Sequence, residues 1–463
     1  MKTQPNLTGF PTTIFATAKR RLQAVIQRAR RSSLCESLSG YALLFEEVLA
    51  PAFMREIDPT KRQRSFGHVP VFWAWLAQIL EGNASCQRAL GLIQGWNQSQ
   101  GLPVPASNTS SYCQGRGRID GEFLGRIHRR VAEHLACRVN EAERWQGFTL
   151  KAIDGSSVQL HDTPDNQRRY PQPSSQKPGC GFPVMGMVGV LNLSHGGWEG
   201  FATCEANRHD VRVAQHLLDL IDEGDLLLGD RGFCSYELIA RVLERGAHVV
   251  MRLHQARHRK LDWRRGRRIS RFERLVAWGK PPKQPATSSL SAAEWAALPE
   301  ELTLRYIRMG TEDRQGNKRN MIVVSTLTDA KRYDGVELFE LYARRWQIEL
   351  RLRDIKTTLG MERLAVQSPD MANKTLRIML IAYNLLRVLM QQAAAIAGKP
   401  LDHMSFKATL DLVRSVHESF RPLAGRSRLR AEHRRAILEI CATKTIDERP
   451  FRREPRAVKR RPK

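Results

Sequence analysis

Residues Tyr342 to Lys356 read YARRWQIELRLRDIK. Leu341, Ile348, Leu352, Ile355 and Leu359 recur at helical spacing, which predicts a helix with one buried apolar stripe. At about 100° per residue, Tyr342, Arg345, Glu349 and Lys356 fall within roughly 60° of one another, beside that stripe rather than opposite it. With about 1.5 Å of rise per residue they line a strip of roughly 20 Å. Such a helix carries a carboxylate on its shoulder, flanked by two cations and a phenol, where it can face a sheet. The same residues also read as i,i+4 ion pairs on a solvated face, Arg345 with Glu349 and Glu349 with Arg353.

The chain on the N-terminal side of this helix supplies the sheet. FTLKAIDGSSVQL, beginning at Phe148, alternates as a strand with Asp154 in its middle. Pro183 to Leu193 and Trp198 to Cys204 read as two further strands joined by the turn Ser194-His195-Gly196-Gly197. A helix is expected at Arg212 to Asp222, then a buried strand at Leu226 to Leu228 that ends in Gly229 and Asp230. A helix at Tyr236 to Glu244 and a strand at Ala247 to Leu253 complete the order strand–strand–strand–helix–strand–helix–strand. A lone Asp at a strand end is usually a turn former or a cap. The pair says more, because an antiparallel hairpin followed by crossover strands can set the first and fourth strands side by side. Asp154 and Asp230 would then emerge at neighbouring points, under the helix that bears Glu349.

Between Gln255 and Thr328 the pattern is interrupted. RHRKLDWRRGRR is a dense basic run, KPPKQPATSSLS is a Pro/Ser-rich linker, and LTLRYIRMG and NMIVVSTL read as strands. The segment is expected to be a small β-rich insertion. Its arginines and lysines around Trp263 suit either a solvated face or a nucleic-acid backbone with a stacked base.

Helices are expected on both flanks. On the N-terminal side they fall at Ile14 to Arg31, Leu38 to Ile57, Val71 to Gly82, Ser85 to Trp96 and Ser111 to Ala136, with Asn83 or Ser85 capping the fourth. Lys61, Arg62, Arg64, Arg116 and Arg118 give this region basic edges, which fit a major groove or ordinary helical packing. After Lys356 the pattern is helical to about Leu438. The tail beyond Thr443, with Arg452, Arg453, Arg456, Lys459, Arg460, Arg461 and Lys463, is too charged to bury.

The 463 residues carry 74 Lys and Arg against 47 Asp and Glu, a formal net charge of +27. That excess points to a polyanion, with an attraction that salt would screen. The opening MKTQPNLTGFPTT has no apolar signal-peptide run, and the apolar helix Leu376 to Ala397 is interrupted by Arg377, Asn384 and Arg387. Nucleic acid is therefore the expected partner, no membrane is, and an intracellular location is expected. The eight cysteines are scattered without a C-x2-C pair, as expected for reduced thiols.

Two aspartates and a glutamate converging on one sheet suit hard divalent cations. Such ions serve phosphodiester hydrolysis and transesterification. No Walker A loop, Rossmann glycine pattern or Ser/His/Asp elbow competes.

The spacing Y-x2-R-x3-E-x6-K resembles the signature helix of the IS4-type insertion-sequence transposases, in the DDE group. The resemblance extends to IDG at Asp154, DRGF at Asp230, GNASCQRAL from Gly82 and SYCQGRGRI from Ser111, and spans roughly 64–360. It departs at Gly115 and Gly117, where other residues are common.

The resemblance implies an α/β, ribonuclease-H-like catalytic core with a β-rich insertion. The expected division is a helical DNA-binding region at 1–147, a catalytic domain at 148–365 interrupted at about 255–328, and a helical region at 366–463 with a possible dimerisation role. It implies that Asp154, Asp230 and Glu349 are catalytic and bind metal. The expected cofactor is Mg²⁺, with Mn²⁺ as substitute, as two ions. Tyr342, Arg345 and Lys356 would contact DNA, and Trp263 or Trp278 would stack on an extruded base. The implied activity is cut-and-paste transposition by a homodimer acting on double-stranded DNA. A regulatory DNA-binding protein without catalysis, and a nuclease without strand transfer, are the competing readings.

Overall fold

The computed structural model describes residues 40–60, 64–99, 101–139, 141–206, 210–312 and 318–446. The expected helix at Ile14 to Arg31, and also Cys35, Leu38, Lys61, Arg62 and the basic tail from Arg452, lie outside the described residues.

The N-terminal region is helical: α1 (Gly40–Leu44), α2 (Pro51–Ile57), α3 (His68–Leu80), α4 (Cys86–Ser99), α5 (Ser110–Arg118) and α6 (Gly121–Ala136). Where the periodicity predicts one helix to Ile57, Pro51 separates two. Proline has no N–H to give to a preceding turn, and it is accommodated here at the first turn of α2. The run from Ser111 to Ala136 likewise divides, because Asp120 turns extended and accepts the Glu122 N–H to cap α6. Ser85 Oγ caps α4 by accepting from Arg88 N at 3.2 Å. Asn83 is used differently, donating to Leu359 O at 3.1 Å.

The central region contains β1 (Thr149–Leu160), α7 (Pro164–Arg169), β2 (Val184–Asn192), β3 (Trp198–Glu205), α8 (Asp210–Ala214), β4 (Asp225–Gly229), α9 (Tyr236–Glu244) and β5 (His248–Arg252). It continues through α10 (Gln255–Arg259), β6 (Arg267–Arg268), β7 (Glu273–Gly279), α11 (Ala292–Ala297), β8 (Glu301–Glu312) and β9 (Lys318–Ser325). Then follow α12 (Gly335–Ala343), α13 (Trp346–Arg353), β10 (Arg363–Leu364), α14 (Pro369–Ala397), α15 (Phe406–Val416) and α16 (Ser427–Ala442).

The strands form one ten-stranded sheet in the order β3-β2-β1-β4-β5-β9-β8-β7-β6, with β10 also paired to β1. β1, β2 and β3 are antiparallel neighbours, whereas β1, β4 and β5 run parallel. This is the ribonuclease-H-like arrangement that the strand order predicted. The fully buried run Leu226–Leu228 suits a parallel strand covered on both faces. The β-rich segment at 255–328 is continuous with this sheet, because β9 pairs antiparallel with β5.

The long helix α14 closes the core on the side of β3. Of its most apolar window, 94% is buried inside the protein. Two of its polar side chains bond to the β2–β3 turn and the start of β3. Asn384 accepts from Trp198 N at 2.8 Å and donates to Trp198 O at 2.9 Å, and the Tyr383 hydroxyl donates to Gly196 O at 3.2 Å. Buried polar groups are tolerated only when partnered, so these bonds fix both the turn and the helix register. The seven described cysteines are all free.

Candidate active site

The site begins with strand register. Ile153 on β1 pairs with Gly229 on β4, so the next residue on each strand, Asp154 and Asp230, stand side by side. β4 ends at Gly229, and β10 does not join β1 until Gln159, which leaves the intervening edge of β1 open. Asp154 accepts from Gly155 N at 2.9 Å, and Asp230 accepts from Gly232 N at 2.7 Å to turn the DRGF loop.

The predicted signature helix is not one continuous helix. α12 ends at Ala343, α13 starts at Trp346, and a π-helical turn follows at Asp354–Thr358. Between α12 and α13 the bonds shorten to i→i+3, from Arg344 N to Leu341 O and from Arg345 N to Tyr342 O. No proline or glycine lies between Gly335 and Gly360, so the bend has no local sequence cause. A tightened segment inside a helix commonly marks a functional hinge, and a π turn commonly lies at a functional site.

At the bend Arg345 turns toward the sheet. Its Nη1 lies 3.0 Å from Asp154 Oδ2 and its Nη2 lies 2.9 Å from Glu349 Oε1, so one guanidinium joins the two carboxylates. The guanidinium also lies 6.0 Å from the Tyr342 ring. The structure thus brings Tyr342, Arg345 and Glu349 together with Asp154, next to Asp230. Lys356 lies within the π turn, and among the described residues no ion pair links it to these carboxylates. The i,i+4 pair of Arg345 with Glu349 does form, but as part of this cluster and not on a solvated face.

The electrostatics reflect this crowding. Burial, with the charges of Asp230 and Glu349 adding to it, pushes Asp154 up to about 6, against Arg345 and the Gly155 N–H. Burial opposes the Arg345 charge, but Tyr342, Asp154 and Glu349 more than offset it and strengthen the cation. Burial also raises the Tyr342 phenol, which stays protonated as a hydrogen-bond donor. Lys356 is lowered by burial.

The reverse side of α13 holds a second cluster that the sequence did not suggest. Arg351 pairs with Asp402 and with Asp354, the latter at 3.7 Å, and Gln347 donates to Asp402 at 2.8 Å. Behind them Arg387 of α14 is 1% exposed and donates to His195 O at 3.2 Å. Burial, with Arg351 nearby, pushes it down to about 10. Only the oddity of an arginine within an apolar helix hinted at this cluster.

The tryptophans do not behave alike. Trp278 is buried, with Arg257 stacked 3.8 Å from its ring centroid, so it has no free face for an extruded base. Trp263 is half-buried beneath Arg308 and Arg274.

In donor type the carboxylates fit a hard divalent cation, and Asp154 and Glu349 already share one organic cation. Among the described residues no three such groups are gathered at ligand spacing.

Residues 145–385, just over half of the chain, match the family model described as Transposase DDE domain. The chain is 28% identical over 361 residues to the transposase InsG for insertion sequence element IS4 of Escherichia coli (strain K12), covering 76% of this chain and 77% of that protein. Among solved structures, a piggyBac transposase synaptic complex with hairpin DNA aligns over 90% of this chain and 87% of its own, at 10% identity and a TM-score of 0.43.

Proposed function

Because the chain belongs to the DDE-domain transposases, and is an IS4-type member, we propose that Asp154, Asp230 and Glu349 are its catalytic, metal-binding residues. As a DNA transposase it is an enzyme of DNA cleavage and strand transfer that depends on divalent metal. The observation that carries the residue assignment is the Ile153–Gly229 register, together with the Arg345 guanidinium that draws Glu349 to Asp154.

Asp154 and Glu349 offer oxygen ligands from a strand and from the facing helix, and Asp230 offers a third from the adjoining strand. These three carboxylates would hold Mg²⁺, or Mn²⁺ in its place, as two ions, and the chemistry supplied there would be activation of a water or 3′-hydroxyl and stabilisation of the leaving oxygen. Arg345 holds the carboxylates until a DNA phosphate competes for its guanidinium, whose planar donors match phosphate as well as carboxylate. The protonated Tyr342 hydroxyl is placed to donate to the same strand. Lys356, within the π turn, contacts a phosphate further along.

The substrate in this reading is the terminal inverted repeats of the element. A homodimer pairs two ends, frees the element by cut-and-paste cleavage, and joins 3′-hydroxyls to target DNA at the nucleoid. The helices up to residue 147 contact DNA, and 366–463 carries the dimer contact. The test uses linear DNA carrying the repeats that flank the gene, with and without Mg²⁺. Wild type should cleave at the repeat termini and give joined products, whereas Glu349→Gln should bind and not cleave. Cleavage retained by Glu349→Gln would mean that another carboxylate does the work.

A further inference from the structure

The register that aligns the two aspartates continues one strand further. Gly229 on β4 pairs with Met251 on β5, so the residue beside Asp230 on the third parallel strand is Arg252. Neighbouring residues in register point to the same face of a sheet, so Asp154, Asp230 and Arg252 form a row on one face. The Tyr342 phenol senses Arg252 and Asp230 together, which places all three in one electrostatic neighbourhood. Arg252 is exposed and closes the row with a positive charge.

Two clefts meet at this end of the row. One, of about 730 Å³, is lined by Arg231, Arg252, Gln255, His258 and Asn320 among others. The other, of about 330 Å³, is lined by Asp230, Arg231, Gln255 and Arg259 among others. They share Arg231 and Gln255, whose side chains approach to 3.5 Å. Among the described residues Arg231, Arg252 and Arg259 form no ion pair with a carboxylate, unlike Arg428 with Glu432. Three guanidiniums without an ion pair, lining two adjoining clefts, make this trough positive and leave it open to an anion. The basic run after Leu253 thus has two uses: Arg257 turns inward onto Trp278, and Arg259 turns to the cleft.

We infer that this groove, with Arg231 and Arg252 at its centre, holds the phosphodiester backbone of a DNA strand that crosses Asp230, on the opposite side from Arg345. A strand passing over three carboxylates is repelled there, so cations on both sides are needed to keep it in place. Arg345 serves one side and the groove serves the other. The inference rests on the assignment of the three carboxylates above, but its test does not depend on cleavage. The strand belongs either to the element's end or to target DNA, and both present the same phosphates.

The test measures binding of the full-length protein in EDTA across about 50 to 200 mM salt, with a duplex bearing the terminal repeat and with an unrelated duplex. Each phosphate contact contributes about 0.9 to the slope of log K against log salt. Arg231→Ala/Arg252→Ala should lower the slope by roughly 1.8 on the DNA the groove holds. A loss on the repeat duplex alone assigns the groove to the element's end, and a loss on both duplexes extends it to target DNA. Arg428→Ala, at a side chain 91% exposed and already paired, removes one charge without a groove contact and should leave the slope alone. Arg231→Lys/Arg252→Lys should keep the wild-type slope, which guards against misfolding of the alanine variant. A slope for the double alanine variant within that of the Arg428→Ala control on both duplexes would overturn the inference. Loss of cleavage in Glu349→Gln is a separate readout, so either assignment can fail alone.

Discussion

Helix α13 carries an ionic cluster on each side, and the two are built differently. On the side of the sheet, Arg345 is the one cation between Asp154 and Glu349, with a third carboxylate, Asp230, on the next strand. On the reverse side two arginines, Arg351 and Arg387, face two aspartates, Asp354 and Asp402, with Gln347 completing the bonds. Buried charge is costly unless it is paired. The reverse cluster meets that condition with the chain's own residues and is architecture. The sheet-side cluster does not: its carboxylates outnumber Arg345, and burial, with the charges of Asp230 and Glu349 adding to it, pushes Asp154 up to about 6. A site left short of positive charge by its own chain is one that a cation from solution can complete.

The comparison can be broken by crossing the two sides. Glu349→Gln should reduce cleavage by at least about 10²-fold, as loss of a preorganised transition-state contact does, with thermal unfolding close to wild type. A large stability loss in that variant would make Glu349 structural. Asp402→Ala should do the reverse, costing about 2–3 kcal/mol because Arg351 and Arg387 lose a shared partner. Urea unfolding would read this, and an unchanged midpoint would remove the distinction between the sides.

Two smaller effects sharpen it. In the absence of DNA, Arg345→Ala should bind Mn²⁺ more tightly, by roughly three- to tenfold, because the guanidinium no longer competes for Asp154 and Glu349. Titration calorimetry giving weaker binding would show that Arg345 assembles the carboxylates instead of holding them in reserve. The smallest effect is on pH. Asp154 titrates near 6 in the fold against 3.8 for an unperturbed side chain, so its ionised form is penalised when folded above pH 6. That penalty is relieved as pH falls toward 3.8. In EDTA the wild type should gain on the order of 1 kcal/mol relative to Asp154→Asn between about pH 7.5 and pH 5. A Tm difference independent of pH would contradict the burial of Asp154.

The alternation around Asp154 and the buried run before Asp230 were legible because a strand covered on one or both faces writes its environment into its residue pattern. The order of strands and helices followed from the same signal, and so did the grouping of Tyr342, Arg345 and Glu349. The break at Arg345 was not legible. Helical periodicity is unchanged by a shift of one or two hydrogen bonds, and the pull on Arg345 comes from Asp154, some 190 residues earlier in the chain. The π turn that holds Lys356 was not legible for the same reason, since it has no proline or glycine to announce it.

The sequence by itself determined the element order, the polyanion partner and the identity of the three carboxylates as candidates, because composition, periodicity and motif spacing are local properties. Only the tertiary structure decided which cations serve which anions. It placed Arg345 between carboxylates, set Arg351 and Arg387 behind the helix, and aligned Arg252 beside Asp230. Those pairings depend on strand register and helix packing between residues far apart in the chain, and no local pattern records them.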